Sequence, residues 1–260
     1  MNILNNEEIQ IYFTYDENIT DLELLRHYQD ILSKEETTKQ SRFRFKEHQY
    51  QYLITRALLK TVLTQHVDGC VKPRDWKFKK NIYGKPEVAN KGYERFLSFN
   101  LSHSKNMIAL AITNEANIGI DTELLLRCNN KIELADNYFS MTEAEQLRAL
   151  PVNQQNNRFF DLWTLKEAYI KACGTGLSTP LNLFSFQFTD NNEIRISFDK
   201  ARKDRPEYWK LWQITPNETH KVAVALNKGS NINDYKIHMK EIIPLRNEKI
   251  VNFPIYRQSK

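Results

Sequence analysis

The chain has 260 residues, 41% of them hydrophobic and 27% charged, a composition typical of a globular protein with its own core. No apolar run approaches the ~18 residues that a membrane-spanning helix needs, so we expect no contact with a membrane. The 37 Lys and Arg residues outweigh the 32 Asp and Glu residues, for a net charge of +5. This small surplus suits an anionic partner, but without a basic arm or a DNA-binding signature it argues against a nucleic-acid binder.

The cysteine content and the N-terminus predict a cytoplasmic protein. Cys70, Cys128 and Cys173 lie far apart and match no metal-ligand spacing, so we expect them to be reduced thiols. The first residues lack the basic start and the apolar stretch of a signal peptide. We expect a monomer.

The first half of the chain contains strand-like and helical patterns in a clear order. Thr20 or Asp21 can cap the first helix, and Ser33 with Glu36 forms a capping-box pattern before the second. The third helix has the longest helical periodicity of this half. The predicted elements are strand 9–15, helices from about 21 to 32, 33 to 43 and 46 to 66, and strands 96–101 and 107–113.

The second half repeats the order of strand, helices, long helix and strands. Ser140 and Glu143 form another capping-box pattern, Pro151 closes that helix, and Gly174 ends the long helix. The predicted elements are strand 118–124, helices 140–150 and 158–173, strands 184–188, 195–198, 209–215 and 221–226, and a strand-like piece at 241–245, after which the tail becomes polar.

The repeated order predicts an α+β fold of two pseudo-symmetric halves. Each half is expected to be a small, mostly antiparallel sheet packed on a long helix, with the active site in the cleft between the halves. We place the first half at residues 1–117, the second at 118–227 and a C-terminal extension at 228–260. No clear internal sequence repeat accompanies this order.

The strand 118–124 carries two acids on one face. Ile118 and Ile120 alternate with Gly119, Asp121 and Glu123, so an apolar face can be buried while the two carboxylates lie side by side. Such carboxylates repel each other in a cleft unless a cation lies between them. Mg²⁺, which binds carboxylate and phosphate oxygens, suits this position, although a solvated strand face is the alternative.

Glu167 and Lys171 lie four residues apart on one face of the helix 158–173. An exposed helical ion pair is one interpretation. The surroundings are unusually apolar and aromatic, however, and a Gly-x-Gly loop follows at Gly174. Glu167 could therefore be a third metal ligand, with Lys171 turned toward a phosphate.

His103 lies between two serines at the end of a predicted strand. A serine next to its histidine does not form a hydrolase triad, which draws its members from separate segments. A histidine beside hydroxyl groups can instead bind a phosphate, and a purely structural role is the alternative. Lys46 begins a helix near a loop and could reach a phosphate, and Gly84 and Pro86 suggest a tight turn that holds Lys85 in place.

Five motifs in this order resemble those of the 4′-phosphopantetheinyl transferases. The resemblance is closest to the surfactin-synthetase-activating type, whose single chain holds two similar halves, and it covers about residues 40–190. The motifs are Tyr83–Pro86, Phe99–Ser104, Ile118–Glu123, Trp163–Lys171 and Gly174–Ser178.

This resemblance implies coenzyme A as donor, Mg²⁺ as cofactor and a serine of an acyl or peptidyl carrier protein as acceptor. It implies that Asp121, Glu123 and Glu167 are metal ligands and that Glu167 and Lys171 are catalytic, Lys171 also contacting the phosphates. A separate set would bind the nucleotide end of coenzyme A. That set comprises Ser102 and His103 at the 3′-phosphate, with Lys85 and Lys46 nearby.

The implied reaction transfers 4′-phosphopantetheine to the serine and releases 3′,5′-ADP. The serine proton could pass to Glu167 or to a water molecule on the metal, and the sequence does not choose between them. Carrier proteins are expected to dock between the acidic strand and Trp163, where the resemblance is limited to Phe139–Glu143. The alternatives are another Mg²⁺-dependent phosphotransferase or nuclease, and a non-catalytic module that binds coenzyme A.

Overall fold

The structure is a computed structural model that describes residues 7–94, 96–114, 117–125, 131–231 and 234–260. Six α-helices lie in these ranges, and none of them combines the length and the apolarity needed to cross a bilayer. The helices are α1 (Leu22–Asp30), α2 (Lys34–Ser41), α3 (Lys46–His66), α4 (Lys131–Tyr138), α5 (Met141–Ala149) and α6 (Val152–Cys173).

Thirteen strands lie in the described ranges and form two main sheets and two hairpins. The strands are β1 (Glu8–Thr14), β2 (Phe78–Lys80), β3 (Pro86–Val88), β4 (Ser98–Ser104), β5 (Met107–Thr113), β6 (Ile118–Leu124), β7 (Phe184–Phe188), β8 (Ile194–Phe198), β9 (Trp209–Ile214), β10 (His220–Asn227), β11 (Lys236–Ile243), β12 (Asn247–Val251) and β13 (Ile255–Gln258). One main sheet has the order β12-β11-β1-β5-β4 and the other β13-β9-β10-β6, while β2–β3 and β7–β8 are hairpins. This arrangement confirms the predicted α+β fold of two halves.

The two main sheets pack face to face, and the helices cover their outer faces. Side chains on β5 alternate between two cores: Met107 packs between the sheets, while Ile108 packs against the helices of the first half. A strand with both faces buried carries apolar residues at successive positions, as β5 does from Met107 to Ile112. All seven residues of β5 are buried.

The predicted capping residues are confirmed, and they fix where α1, α2 and α5 begin. Asp21 caps α1 by accepting hydrogen bonds from two backbone N–H groups, and full capping boxes start α2 at Ser33 and α5 at Ser140. The long helix α6 begins at Val152 instead of the predicted 158. Its first turns are exposed and polar, so they carry no apolar periodicity for a sequence pattern to detect.

A buried ion pair recurs in both halves and supports their equivalence. In the first half Glu36, from the capping box of α2, lies 2.6 Å from Lys60 Nζ of α3. In the second half Glu143, from the capping box of α5, lies 2.8 Å from Lys166 Nζ of α6. Each pair therefore joins the start of a short helix to the long helix of its half.

The C-terminal segment belongs to both sheets. Strand β11 pairs in parallel with β1, β12 pairs with β11, and β13 pairs with β9 of the other sheet. The sequence predicted a single strand-like piece at 241–245 followed by a polar tail. That prediction was incomplete because β12 and β13 are edge strands whose residues are mostly exposed, so they do not need an apolar face.

Candidate active site

The two halves meet at the edge strands β4 and β6, where side chains replace the usual backbone ladder. Asn100 Oδ1 accepts a hydrogen bond of 3.0 Å from the backbone N–H of Ile120. Ser102 Oγ accepts one of 3.2 Å from the backbone N–H of Thr122. These bridges bring the Ser102 side chain next to the acidic face of β6.

Asp121 lies at the centre of this junction and is 4% exposed. Its Oδ1 accepts hydrogen bonds from Ser102 Oγ at 2.9 Å and from Lys171 Nζ at 2.7 Å. Lys171 also donates to Ser102 at 2.8 Å. The second oxygen, Oδ2, is buried and has no hydrogen-bond partner among the described residues, so this carboxylate keeps an unused acceptor in a desolvated place.

The carboxylates of Glu123 and Glu167 lie within electrostatic reach of Asp121. Burial, and then the negative charge of Asp121, raise the pKa of Glu123 to about 7. A hydrogen bond of 3.2 Å that Trp163 Nε1 donates to the Glu123 carboxylate acts in the opposite direction. The same two causes raise the pKa of Glu167, while Lys171 lowers it. The sequence placed these three acids together, and the structure brings them into one electrostatic environment.

Gly119 lets α6 lie directly on β6. A Cβ atom at this position would lie 2.0 Å from the carbonyl oxygen of Ala168 and 2.4 Å from the backbone nitrogen of Ala172. Both atoms belong to the helix backbone and cannot rotate away. Glycine is therefore required here for the helix that carries Glu167 and Lys171 to reach its place over the strand.

We expect Gly119→Ala to displace α6, to lower the free energy of unfolding by about 3 kcal/mol and to abolish turnover. The added methyl group must push the helix backbone away, which separates Glu167 and Lys171 from Asp121. Thermal unfolding and the turnover rate measure the two effects. A stable and fully active variant would show that the close packing of α6 on β6 is not needed.

The donor set of the junction fits a hard cation. As the side chains stand, no three His, Cys, Asp or Glu residues of the described ranges are arranged to hold a metal ion. The unpartnered Oδ2 of Asp121 and the nearby carboxylates of Glu123 and Glu167 nevertheless supply the oxygen ligands that Mg²⁺ prefers. Sharing one cation would require these side chains to turn toward one another.

His103 lines a cavity of about 840 Å³ between α3 and the end of β4. His48, Tyr52 and Lys105 line the same cavity. Desolvation in the cleft, and then the charge of Lys171, lower the pKa of His103, which favours the neutral ring. The cavity is large enough for a nucleotide. Ser104 in its wall lies 3.3 Å, hydroxyl to hydroxyl, from Thr122 of β6, the strand that carries the two acids.

Ser102 and His103 do not share one pocket. Successive residues of a strand point to opposite sides, so Ser102 is buried at the junction while His103 is exposed in the cavity. Lys46 starts α3, is exposed and donates to Gln49 at 3.2 Å, and it is not among the cavity residues.

Lys85 and Lys171 both line a second, smaller cavity of about 250 Å³. Its ammonium donates to the carbonyl oxygens of Ile118 at 3.2 Å and Ala172 at 3.1 Å. Burial lowers the pKa of Lys85 to about 8. The structure thus brings Lys85 to the site, but away from the cavity that His103 lines.

The role of Asn100 as a bridge between β4 and β6 was not predicted from the sequence. It lies two residues before Ser102 on the same face of β4, and it forms the second side-chain bridge to β6. An amide side chain inside a mostly apolar predicted strand was the available signal, because a buried amide needs hydrogen-bond partners.

Two family models match the chain, and the border between them falls between β5 and β6, where the first half of the sequence passes into the second. The model for the N-terminal part of 4′-phosphopantetheinyl transferases matches residues 21–115. The model for the 4′-phosphopantetheinyl transferase superfamily matches residues 117–225, which include the acidic strand and α6.

Curated proteins of this family are similar over most of the chain. The 4′-phosphopantetheinyl transferase HetI of Nostoc sp. is 33% identical over 195 residues, which are 75% of this chain and 78% of HetI. The transferase Sfp of Bacillus subtilis is 29% identical over 217 residues, which are 84% of this chain and 92% of Sfp. The transferase gsp of Aneurinibacillus migulanus is 31% identical over 198 residues, which are 76% and 78% of the two chains. The resemblance inferred from the motifs is thereby confirmed, and the chain belongs to the 4′-phosphopantetheinyl transferases, a family of enzymes.

Proposed function

We propose that this enzyme transfers 4′-phosphopantetheine from coenzyme A to a serine of acyl or peptidyl carrier proteins, with Mg²⁺, and releases 3′,5′-ADP. The observation that carries this proposal is the junction of β4 and β6. There Asp121 keeps a buried, unpartnered oxygen beside two further carboxylates and the ammonium of Lys171. Such a mixture of carboxylates and one ammonium group suits a pyrophosphate donor held through a cation.

Asp121, Glu123 and Glu167 would hold the cation, which would offset the pyrophosphate charge as the bond to 3′,5′-ADP breaks. Lys171 supplies a further positive charge at the same place, because its ammonium already lies 2.7 Å from Asp121. The serine oxygen of the carrier attacks the phosphorus atom next to pantetheine and loses its proton. Glu167 is one candidate for the base, because its carboxylate lies within electrostatic reach of Asp121 and Lys171, and a water molecule on the metal is the other.

The nucleotide end of coenzyme A would occupy the cavity of about 840 Å³ that His103 and Lys105 line. A neutral imidazole can donate one ring N–H to a phosphate oxygen. Lys85 would act from the second cavity, where it supports the backbone at the end of α6.

The carrier protein would dock beside Trp163. Tyr138 and Met141, which are 45% and 78% exposed, form an apolar surface at the junction of α4 and α5. The Tyr138 ring lies 5.9 Å from the ring of Trp163, which donates its indole N–H to Glu123. Carrier proteins are typically acidic, so the net charge of +5 would increase their rate of association.

Mass spectrometry of a carrier protein tests the proposed function. The full chain is incubated with coenzyme A, Mg²⁺ and apo carrier domains, and each carrier should gain the mass of one phosphopantetheine. Turnover of coenzyme A without a carrier would favour another phosphotransferase instead. Binding of coenzyme A with no mass gain on any carrier would favour a non-catalytic module.

We expect His103→Ala to raise the KM for coenzyme A about tenfold and to leave kcat unchanged, because it removes one hydrogen bond to a charged phosphate. Initial rates at varied coenzyme A concentration measure this effect. His238→Ala is the matched control, since His238 lies in β11 and pairs with Glu8 at 3.7 Å. An unchanged KM in the His103 variant would remove this residue from the phosphate site.

A further inference from the structure

A second buried cluster of charges lies on the same face of the sheet as the acidic junction. Asp161 of α6 accepts hydrogen bonds of 2.9 Å from Tyr256 Oη and of 2.9 Å from Arg257. Its carboxylate also forms an ion pair with the ammonium of Lys221, and the Asp161 side chain is 5% exposed. We name these four residues the Asp161 cluster.

Lys221 is the direct neighbour of Glu123 across the sheet. The register of β10 and β6 pairs the two residues, so their side chains leave the same face. Directly opposite residues have Cβ atoms about 5 Å apart, and opposite charges at such positions normally attract each other. In this structure Lys221 instead turns to Asp161 and to the carbonyl oxygen of Asn157, 3.3 Å away.

Strand β13 helps to hold Asp161 where its carboxylate can pair with the ammonium of Lys221. Arg257 donates to Asp161 Oδ2 and also, at 3.1 Å, to Gln213 Oε1. Gln213 in turn donates 2.9 Å to the backbone carbonyl of Asp161. The side chain and the backbone of Asp161 are therefore both fixed, six residues before Glu167 in the same helix.

We propose that Asp161 is a positioning residue that draws the ammonium of Lys221 away from Glu123, so that Glu123 stays available to a divalent cation. The inference rests on the proposed function, since it concerns the same cation site. Without Asp161, the flexible side chain of Lys221 would pair with the carboxylate opposite it. A cation would then have to displace that ammonium before it could bind Glu123.

Titration calorimetry of the full chain with Mg²⁺ tests this role directly. We expect Asp161→Asn, which keeps the size and much of the hydrogen bonding of the side chain, to weaken Mg²⁺ binding roughly two- to fivefold. Adding Lys221→Met to Asp161→Asn should restore the native affinity, because the competing ammonium is gone. Lys221→Met alone should leave the affinity unchanged, because Lys221 is already held by Asp161.

The double variant separates positioning from a merely structural role. If the Asp161 cluster only stabilised the fold, the double variant would lose more of it and would bind Mg²⁺ no better than Asp161→Asn. Unchanged binding in Asp161→Asn, no recovery in the double variant, or tighter binding in Lys221→Met would each overturn the inference. Tighter Mg²⁺ binding in Lys221→Met would overturn the inference even if Asp161→Asn does not fold.

Measurements on the native chain distinguish a wrong role for Asp161 from a wrong cation site. If it transfers phosphopantetheine and binds Mg²⁺ while Asp161→Asn binds Mg²⁺ equally well, the role of Asp161 alone is wrong. If the native chain binds no Mg²⁺, the proposed cation site is wrong, and the role of Asp161 is overturned with it.

Discussion

Asp121→Asn is expected to reduce phosphopantetheinyl transfer by about 10²–10³-fold while the protein stays folded. The amide keeps the shape of the side chain and can still accept from Ser102. It removes the negative charge from the centre of the junction, and with it the ion pair of 2.7 Å to Lys171. Transfer rates at saturating coenzyme A and Mg²⁺, together with a circular dichroism spectrum, measure both parts of this prediction.

Two further variants provide a parallel test and a control for that result. Glu167→Ala should cause a loss of similar size, because it removes the second element that supplies a carboxylate to the junction. Asp190→Asn is the matched control, since this exposed acid lies in the turn between β7 and β8. Normal Mg²⁺-dependent turnover in the Asp121 or Glu167 variant would mean that the active site lies elsewhere.

Lys166→Met is expected to lower the free energy of unfolding by about 3–5 kcal/mol, because it leaves a buried carboxylate without its counter-charge. Lys166 is fully buried, and its ammonium also donates to the carbonyl oxygens of Leu181 at 2.7 Å and Phe184 at 2.8 Å. In the described part of the chain it is the one cation within ion-pair distance of Glu143. Chemical denaturation measures the effect.

The equivalent pair in the first half provides a matched comparison. Lys60 is also fully buried, but its partner Glu36 has a second cation, because Arg56 Nε donates to it at 2.7 Å. Lys60→Met should therefore destabilise the protein less than Lys166→Met. Equal losses would show that the second cation does not compensate for the first.

The elements of the site were predictable from local patterns. The face of β6 that carries Asp121 and Glu123 followed from strand alternation, and the capping box at Ser140 marked the start of α5. The spacing of Glu167 and Lys171 placed both on one face of α6. These features depend on neighbours in sequence, where the physical preferences of the backbone are strong.

The contacts between segments were not predictable in the same way. That Asn100 bridges to Ile120, or that Lys85 donates to two carbonyl oxygens, depends on the distance between elements that are far apart in sequence. The resemblance grouped Ser102 with His103, whereas the pleat of β4 places their side chains on opposite sides. The cluster around Asp161 gave no local signal, because its members come from α6, β10 and β13.

The parallel pairing of β1 with β11 has a consequence for how the chain folds. One of the first strands to be synthesised stays with an open edge until residues 236–243 have left the ribosome. Contacts between such distant segments slow folding, and an unpaired edge invites association with other chains. A fragment that stops after the first half would therefore aggregate, and this sheet would acquire its native form only after β11 emerges.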